Sequence, residues 1–271
     1  MPVNAKSCLG THDFVFITFD TLRFDVADAL FCEKRTPQLE KLIGSNGWEK
    51  RHSPGNFTYA AHQAFFAGFL PTPARPGKHP RLWATTFIGS ETITPNTLEF
   101  ETANIVEGFA SNGYRTICIG GVGFFNKQTA LSNVFPSMFA ESYWRPEFSV
   151  TSKTSTQQQF QLAAELLGEN NVPSFLFINI SAMHQPNHFY LEGAIEDSLE
   201  SQSAALQYVD SQLPILMAAL SRRERPSCCV FCADHGTTFG EDGYSGHRLA
   251  HPKVWEVPYA EFVFPASTLR N

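Results

Sequence analysis

Short, nearly unbroken runs of β-branched and aromatic residues recur at wide intervals, at 14–19, 115–119, 175–180, 229–232 and 261–264. They constrain the fold more than any other feature of the sequence. A strand with one wet face alternates apolar with polar residues, so runs like these suit strands covered on both faces. Stretches of helical spacing lie between them, at 37–43, 59–67, 97–111, 156–167 and 198–222. This alternation predicts an α/β fold, a three-layer sandwich with a central, mostly parallel sheet and helices on both faces. Functional side chains in such sheets gather at the carboxyl ends of strands. Asp20, His184 and the Asp234-His235 pair fall at or just after such ends.

A chain of 271 residues with 43% hydrophobic and 17% charged residues is read as one compact domain over 1–271. Its 25 Phe point to a core packed with aromatic rings. The net charge of −6 gives no general attraction for nucleic acid, although a bound cation can still create a local site for an anion. The first residues lack the basic start and apolar stretch of a secretory signal, and no run of about 18 apolar residues follows. The expectation is a cytoplasmic protein with no membrane segment. The proline-rich stretch 71–80 reads as a surface loop. Cys228, Cys229 and Cys232 sit in a strand that points their side chains in different directions, so free thiols fit better than disulfides. A metal reading of these cysteines needs partners elsewhere in the chain.

Three segments carry chemistry. Asp20 closes the first apolar run and is followed by Thr21-Leu22-Arg23-Phe24-Asp25; a carboxylate on a rigid strand end suits a cation, although an Asp after a strand is more often a turn or N-cap residue. Thr58 stands where a helix should begin, in Asn56-Phe57-Thr58-Tyr59-Ala60-Ala61-His62, with Gly68 further on; its hydroxyl either caps the helix or projects into a site. Asp234-His235-Gly236 leaves the fourth run and His247 follows twelve residues after His235. Two donors leaving one strand can bind one cation if the chain turns sharply, a turn attributed to Gly236.

Together these segments resemble the alkaline phosphatase and sulfatase superfamily. The stretch 17–25 is similar to its opening metal-binding motif, 56–71 to its nucleophile motif, and 231–247 to its Ser-Asp-His-Gly motif with the histidine that follows. Val257-Pro258-Tyr259 also resembles what comes after it in sulfatases. Departures lie around the nucleophile, where Ala60, Ala61 and Ala67 replace the usual residues. Sulfatases make their formylglycine from Cys or Ser, which Thr58 cannot supply; a threonine alkoxide instead suits phosphorus. The loop 179–188 matches one that carries metal ligands in two-metal relatives, with His184 and His188 as candidates.

The resemblance implies an alkaline-phosphatase-like fold and one or two divalent ions, zinc or manganese. Asp20, Thr58, Asp234 and His235 would surround the first ion, with His184, His188 and His247 available for a second. His184 is alternatively a catalytic contact to phosphoryl oxygens, and His62 a substrate contact or a brace of its helix. Arg23 and Lys127 are set aside as anion contacts, because Arg23 can pair with Asp25. The implied activity is hydrolysis of small anionic phosphate or phosphonate esters through a phospho-Thr58 intermediate. A phosphotransferase, a phosphomutase, a sulfatase-like enzyme and a decayed metal-binding module stay open as alternatives, as does a homo-oligomer completing the pocket.

Overall fold

The computed structural model describes residues 3–68 and 104–266. In chain order the helices are α1 (Ala5–Cys8), α2 (Phe24–Cys32), α3 (Pro37–Ile43), α4 (Thr58–Ala67), α5 (Ile105–Ser111), α6 (Ala130–Asn133), α7 (Ser155–Gly168), α8 (Leu199–Leu220) and α9 (Pro252–Trp255). The strands are β1 (Asp13–Phe19), β2 (Glu49–His52), β3 (Arg115–Ile119), β4 (Glu141–Tyr143), β5 (Ser174–Ile180), β6 (Ser227–Ala233), β7 (Thr238–Phe239), β8 (Ser245–Gly246) and β9 (Glu256–Phe264). Among the described residues seven strands form one sheet in the order β2-β9-β6-β1-β5-β3-β4, and β7 pairs with β8 apart from it. The expected loop at 71–80 and the first part of the expected helix 97–111 lie outside the described residues.

The apolar runs became strands because both faces of the sheet are covered. In β1, Val15, Ile17 and Phe19 join Leu176, Ile178, Ile180, Phe231 and residues of α2, α3, α7 and α8 in one buried cluster. Their alternates Phe14, Phe175, Phe177 and Cys228 join Phe66 of α4, Val106 of α5, Phe125 and Phe135 in a second. Successive side chains thus feed opposite layers, as the pleat requires. Each fully buried large side chain contributes roughly 1.5–3 kcal/mol, and the second layer draws on edge-to-face rings such as Phe66 and Phe177, 5.1 Å apart.

Register positions the functional residues. β1 is parallel to both β5 and β6, with Phe19 opposite Ile180 on one side and Ala233 on the other. Asp20 and Asp234 therefore leave adjacent strands at the same level. The chain from Asp234 onward stays at this carboxyl edge and returns as β9, which must then run antiparallel to β6. β9 begins at Glu256, so Val257-Pro258-Tyr259 lies within the strand rather than before it. β2 and β4 carry no apolar run: β2 is four exposed residues, Glu-Lys-Arg-His, held through its backbone against β9.

Candidate active site

Asp20, Asp234 and His235 are fully buried, and a ligand atom from each lies within 4.8 Å of the others. Thr58, at the first position of α4, completes the group: its Oγ1 is 3.4 Å from Asp20 Oδ2 and 3.3 Å from His235 Nε2. Four residues expected at one ion from widely separated segments do meet. Their surroundings orient them. The Thr21 hydroxyl donates to Asp20 Oδ1 at 2.8 Å and Asn179 Nδ2 to Asp20 Oδ2 at 3.2 Å. The Thr21 and His235 amides donate to Asp234 Oδ1 at 3.1 and 2.9 Å. His235 Nδ1 is 2.8 Å from the Gly236 carbonyl; only an N–H can satisfy that contact, so Nε2 is left with its lone pair facing Thr58.

The donor set fits a divalent cation. Asp20, Asp234 Oδ2 and His235 Nε2 are all acceptors, and the Thr58 hydroxyl brings one proton to share among them. Asp234 Oδ2 is buried with no hydrogen-bond partner, a costly state for a carboxylate oxygen without a cation. Burial, and then the neighbouring Asp20, push the Asp234 carboxyl well above the usual carboxylate range. Burial works the same way on Asp20, but His184, His235 and the Thr21 hydroxyl outweigh it and hold that carboxyl low. Burial also lowers His235, keeping its imidazole neutral as ligation requires. A set of oxygen donors with one imidazole is compatible with manganese or zinc.

The other histidines divide. His184 and His247 line a cavity of about 380 Å³ together with Thr58, Phe124, Ser132 and Arg248, and the His247 ring lies 4.5 Å from that of His235. Burial and the nearby His235 bring His247 down to about 4, and its Nδ1 has no partner. His184 Nδ1 is 2.5 Å from the Gln185 carbonyl, which leaves Nε2 as its free acceptor. His188 does not line this cavity: its backbone amide and ring both meet Asp197 Oδ1, at 2.7 and 3.2 Å. Among the described residues no group of three donors within 4.8 Å includes His184, His188 or His247.

His62, read as a substrate contact or a brace of its helix, is fully buried and takes the second role. Its Nδ1 is 2.7 Å from the Thr58 carbonyl and its Nε2 3.1 Å from Thr18 Oγ1, and burial lowers its pKa to about 4. The neutral ring links β1 to the first turn of α4, bracing the residue that bears the hydroxyl. His62→Phe keeps the aromatic packing and removes both links. The expected result is activity lower by about 10–100-fold with bound metal per chain unchanged, checked by kinetics and elemental analysis.

Gly236 has a reason other than the sharp turn expected of it. Its φ is not in the left-handed region; a Cβ there would lie 2.1 Å from the Lys253 carbonyl oxygen, because the backbone of α9 packs directly on it. Gly236→Ala should cost at least about 2 kcal/mol by overpacking, read as a lower denaturation midpoint.

Several residues of the site escaped the sequence. Thr21 is a β-branched residue at φ +67°, a strained position that turns both its donors onto the carboxylates. Thr18 and Asn179 are paired in register and joined by a 3.2 Å hydrogen bond. A carboxamide inside an otherwise apolar strand was the available signal for Asn179. Arg248, at φ +69°, stands on the cavity wall with its guanidinium 5.4 Å from the Phe57 ring. Arg23 is turned away to Asp25, at 2.7 Å, and to Glu241, and Lys127 bonds Ser142.

The family model described as Sulfatase matches residues 12–261. The chain belongs to the sulfatase family. No match is found among curated proteins. Solved structures similar to this sulfatase-family chain include the zinc complex of the C-terminal periplasmic domain of EcEptC from Escherichia coli. It has 13% identity and a TM-score of 0.63, covering 94% of this chain and 73% of that one. The soluble domain of lipooligosaccharide phosphoethanolamine transferase A from Neisseria meningitidis has 15% identity and a TM-score of 0.63, covering 94% and 77%. A protein of the alkaline phosphatase superfamily from Vibrio parahaemolyticus has 19% identity and a TM-score of 0.60, covering 93% and 60%. At these identities the likeness is one of fold, the α/β fold of the alkaline phosphatase superfamily.

Proposed function

We propose that this chain is a metal-dependent enzyme that cleaves phosphate or phosphonate esters through a covalent phospho-Thr58 species and passes the phosphoryl group to water or an alcohol. The observation that carries this reading is the Thr58 hydroxyl at the start of a helix, held beside two buried carboxylates and a neutral imidazole while also facing the cavity. Asp20, Asp234, His235 and the Thr58 oxygen would hold the ion. When bound, a divalent cation acts as a Lewis acid that makes an adjacent hydroxyl more acidic and offsets phosphoryl charge.

The chain's own residues do the rest. The Thr58 proton has two acceptors in reach, Asp20 and His235. Thr58 Oγ1 then forms a bond to phosphorus as the bond to the leaving alcohol breaks. Helix α4 begins without a side-chain cap or an acidic residue in its first turn, so its positive end favours the phosphoryl oxygens. His184, His247 and Arg248 line the side from which substrate enters, where they can contact departing or equatorial oxygens. Water or an alcohol next attacks phosphorus, the bond from phosphorus to Thr58 Oγ1 breaks, and the proton lost by the attacking oxygen passes to Thr58, while the proton first taken by Asp20 or His235 leaves on the departing alcohol. Transfer to an alcohol draws support from the neighbour named as a phosphoethanolamine transferase; a secondary hydroxyl in place of Cys or Ser argues against sulfate esters.

The test is a panel of aryl phosphate monoester, diester, phosphonate and sulfate ester with added zinc or manganese, with glycerol present or absent. Acid quenching followed by peptide mass analysis should find the phosphoryl adduct on Thr58. Preferred turnover of the sulfate ester, or an adduct on another residue, would sink the proposal.

A further inference from the structure

The amino edge of the sheet, opposite the site just described, holds a second convergence of ligand atoms. The sulfurs of Cys8 and Cys228 and a ring nitrogen of His12 lie within 4.8 Å of one another. Cys8 ends α1, His12 immediately precedes β1, and Cys228 is the second residue of β6. We propose that these three side chains form a separate metal site that takes zinc or another thiophilic divalent ion and fastens the N-terminal segment to the sheet.

The local structure is built for this. The amides of Thr11 and His12 both donate to the Cys8 carbonyl, at 3.1 and 3.0 Å, folding the segment into one tight turn that puts Cys8 and His12 on the same side. Tyr114 locks that turn from β3's flank, accepting from the Gly10 amide at 2.7 Å and donating to the His12 carbonyl at 2.9 Å. The Thr11 hydroxyl spends its only proton on the Cys8 carbonyl, 3.0 Å away. Its contact with His12 Nδ1 at 2.8 Å must then be donated by the ring, which leaves Nε2 with a lone pair. A tautomer set in this way by an outer partner is characteristic of ligating histidines.

The chemistry of the donors selects the ion. Two thiols and one imidazole suit zinc and cobalt, and they exclude magnesium or calcium. Tetrahedral zinc with its usual bond lengths holds such donors roughly 3.5–3.8 Å apart, so the three side chains need to close by only about 1 Å. Both sulfurs are buried and His12 is partly exposed, an arrangement that gives an ion a route in from solvent. Binding releases one proton from each thiol. Cys229, next in sequence to Cys228, points into the opposite layer and takes no part.

Cobalt titration of the full chain, kept reduced with a phosphine, tests the site without reference to turnover. Asp20, Asp234 and His235 bring no sulfur, so thiolate-to-cobalt absorption in the near ultraviolet does not come from that cluster, and its loss in Cys8→Ala separates this site from the other thiols of the chain. The wild type should show that absorption and bind one more cobalt per chain than Cys8→Ala. His12→Gln, changed at the surface where folding is least at risk, should weaken binding at least about tenfold. Cys232→Ala, which removes the thiol beside Asp234, should leave the absorption unchanged. Absence of the absorption in the reduced wild type, or its survival in Cys8→Ala, overturns the proposal.

Discussion

Thr58→Ala should lower kcat by at least about 10³-fold, the scale on which loss of a nucleophile is felt, while the protein stays folded. The substitution removes the oxygen proposed to attack phosphorus. Its two contacts, at 3.4 and 3.3 Å, are long, so their loss should change stability by less than about 1 kcal/mol. Helix α4 keeps its start, because its N-cap is Phe57 and no side chain caps it. Thr58→Ser supplies the control: a primary hydroxyl in the same place should retain measurable turnover and still form the adduct. Kinetics with zinc or manganese, together with circular dichroism, decide the matter. A Thr58→Ala protein that turns over at an undiminished rate would remove Thr58 from the mechanism.

Asp234→Asn should produce opposite effects with and without metal. With a chelator present, the two buried carboxylates repel and Asp234 Oδ2 is unpartnered. The amide removes the like charge, keeps an oxygen for the Thr21 and His235 amides, and turns an N–H toward His235 Nε2, which lies 3.5 Å from Asp234 Oδ2. The metal-free variant should therefore be more stable than wild type by about 1–3 kcal/mol. With metal present the order should reverse. An amide supplies no charge to a cation, and affinity should fall by more than about 100-fold, beyond what losing an outer partner costs. Melting curves in chelator and in excess zinc or manganese read both effects. Equal shifts of wild type and variant on adding metal would show that this cluster does not hold the ion.

Much of the sheet was legible because its signal is local. The run 115–119 is β3 residue for residue, and β1, β5 and β6 differ from expectation only by one or two residues at their ends. β9 starts five residues before the run at 261–264, and β2 lacks an apolar pattern altogether: it is entirely charged or imidazole-bearing, and it exists only because β9 offers it a backbone ladder. Helix α2 was hidden behind a segment read for its Asp and Arg residues rather than for its periodicity. In the candidate site, strand-end or helix-start position made Asp20, Thr58, Asp234 and His235 candidates, and the resemblance of their segments to the superfamily's motifs picked them out. His62, left between substrate contact and helix brace, and His188, read as a ligand, could not be placed from sequence because spacing along a chain does not say which way a ring points. His62 points inward, among Phe66, Phe125, Phe135 and Phe177. His188 is pulled aside by Asp197, nine residues away.

The sequence by itself determined which segments become strands and that their carboxyl ends carry the chemistry-bearing residues, since apolar periodicity and strand-end position are properties of neighbours along the chain. Tertiary structure alone decided that Asp20 and Asp234 stand side by side, that Thr21 is strained to serve both, that Arg248 faces the cavity, and that Cys8 meets Cys228. Each of these is a contact between distant segments, set by strand register and layer packing, and neither leaves a mark in local composition.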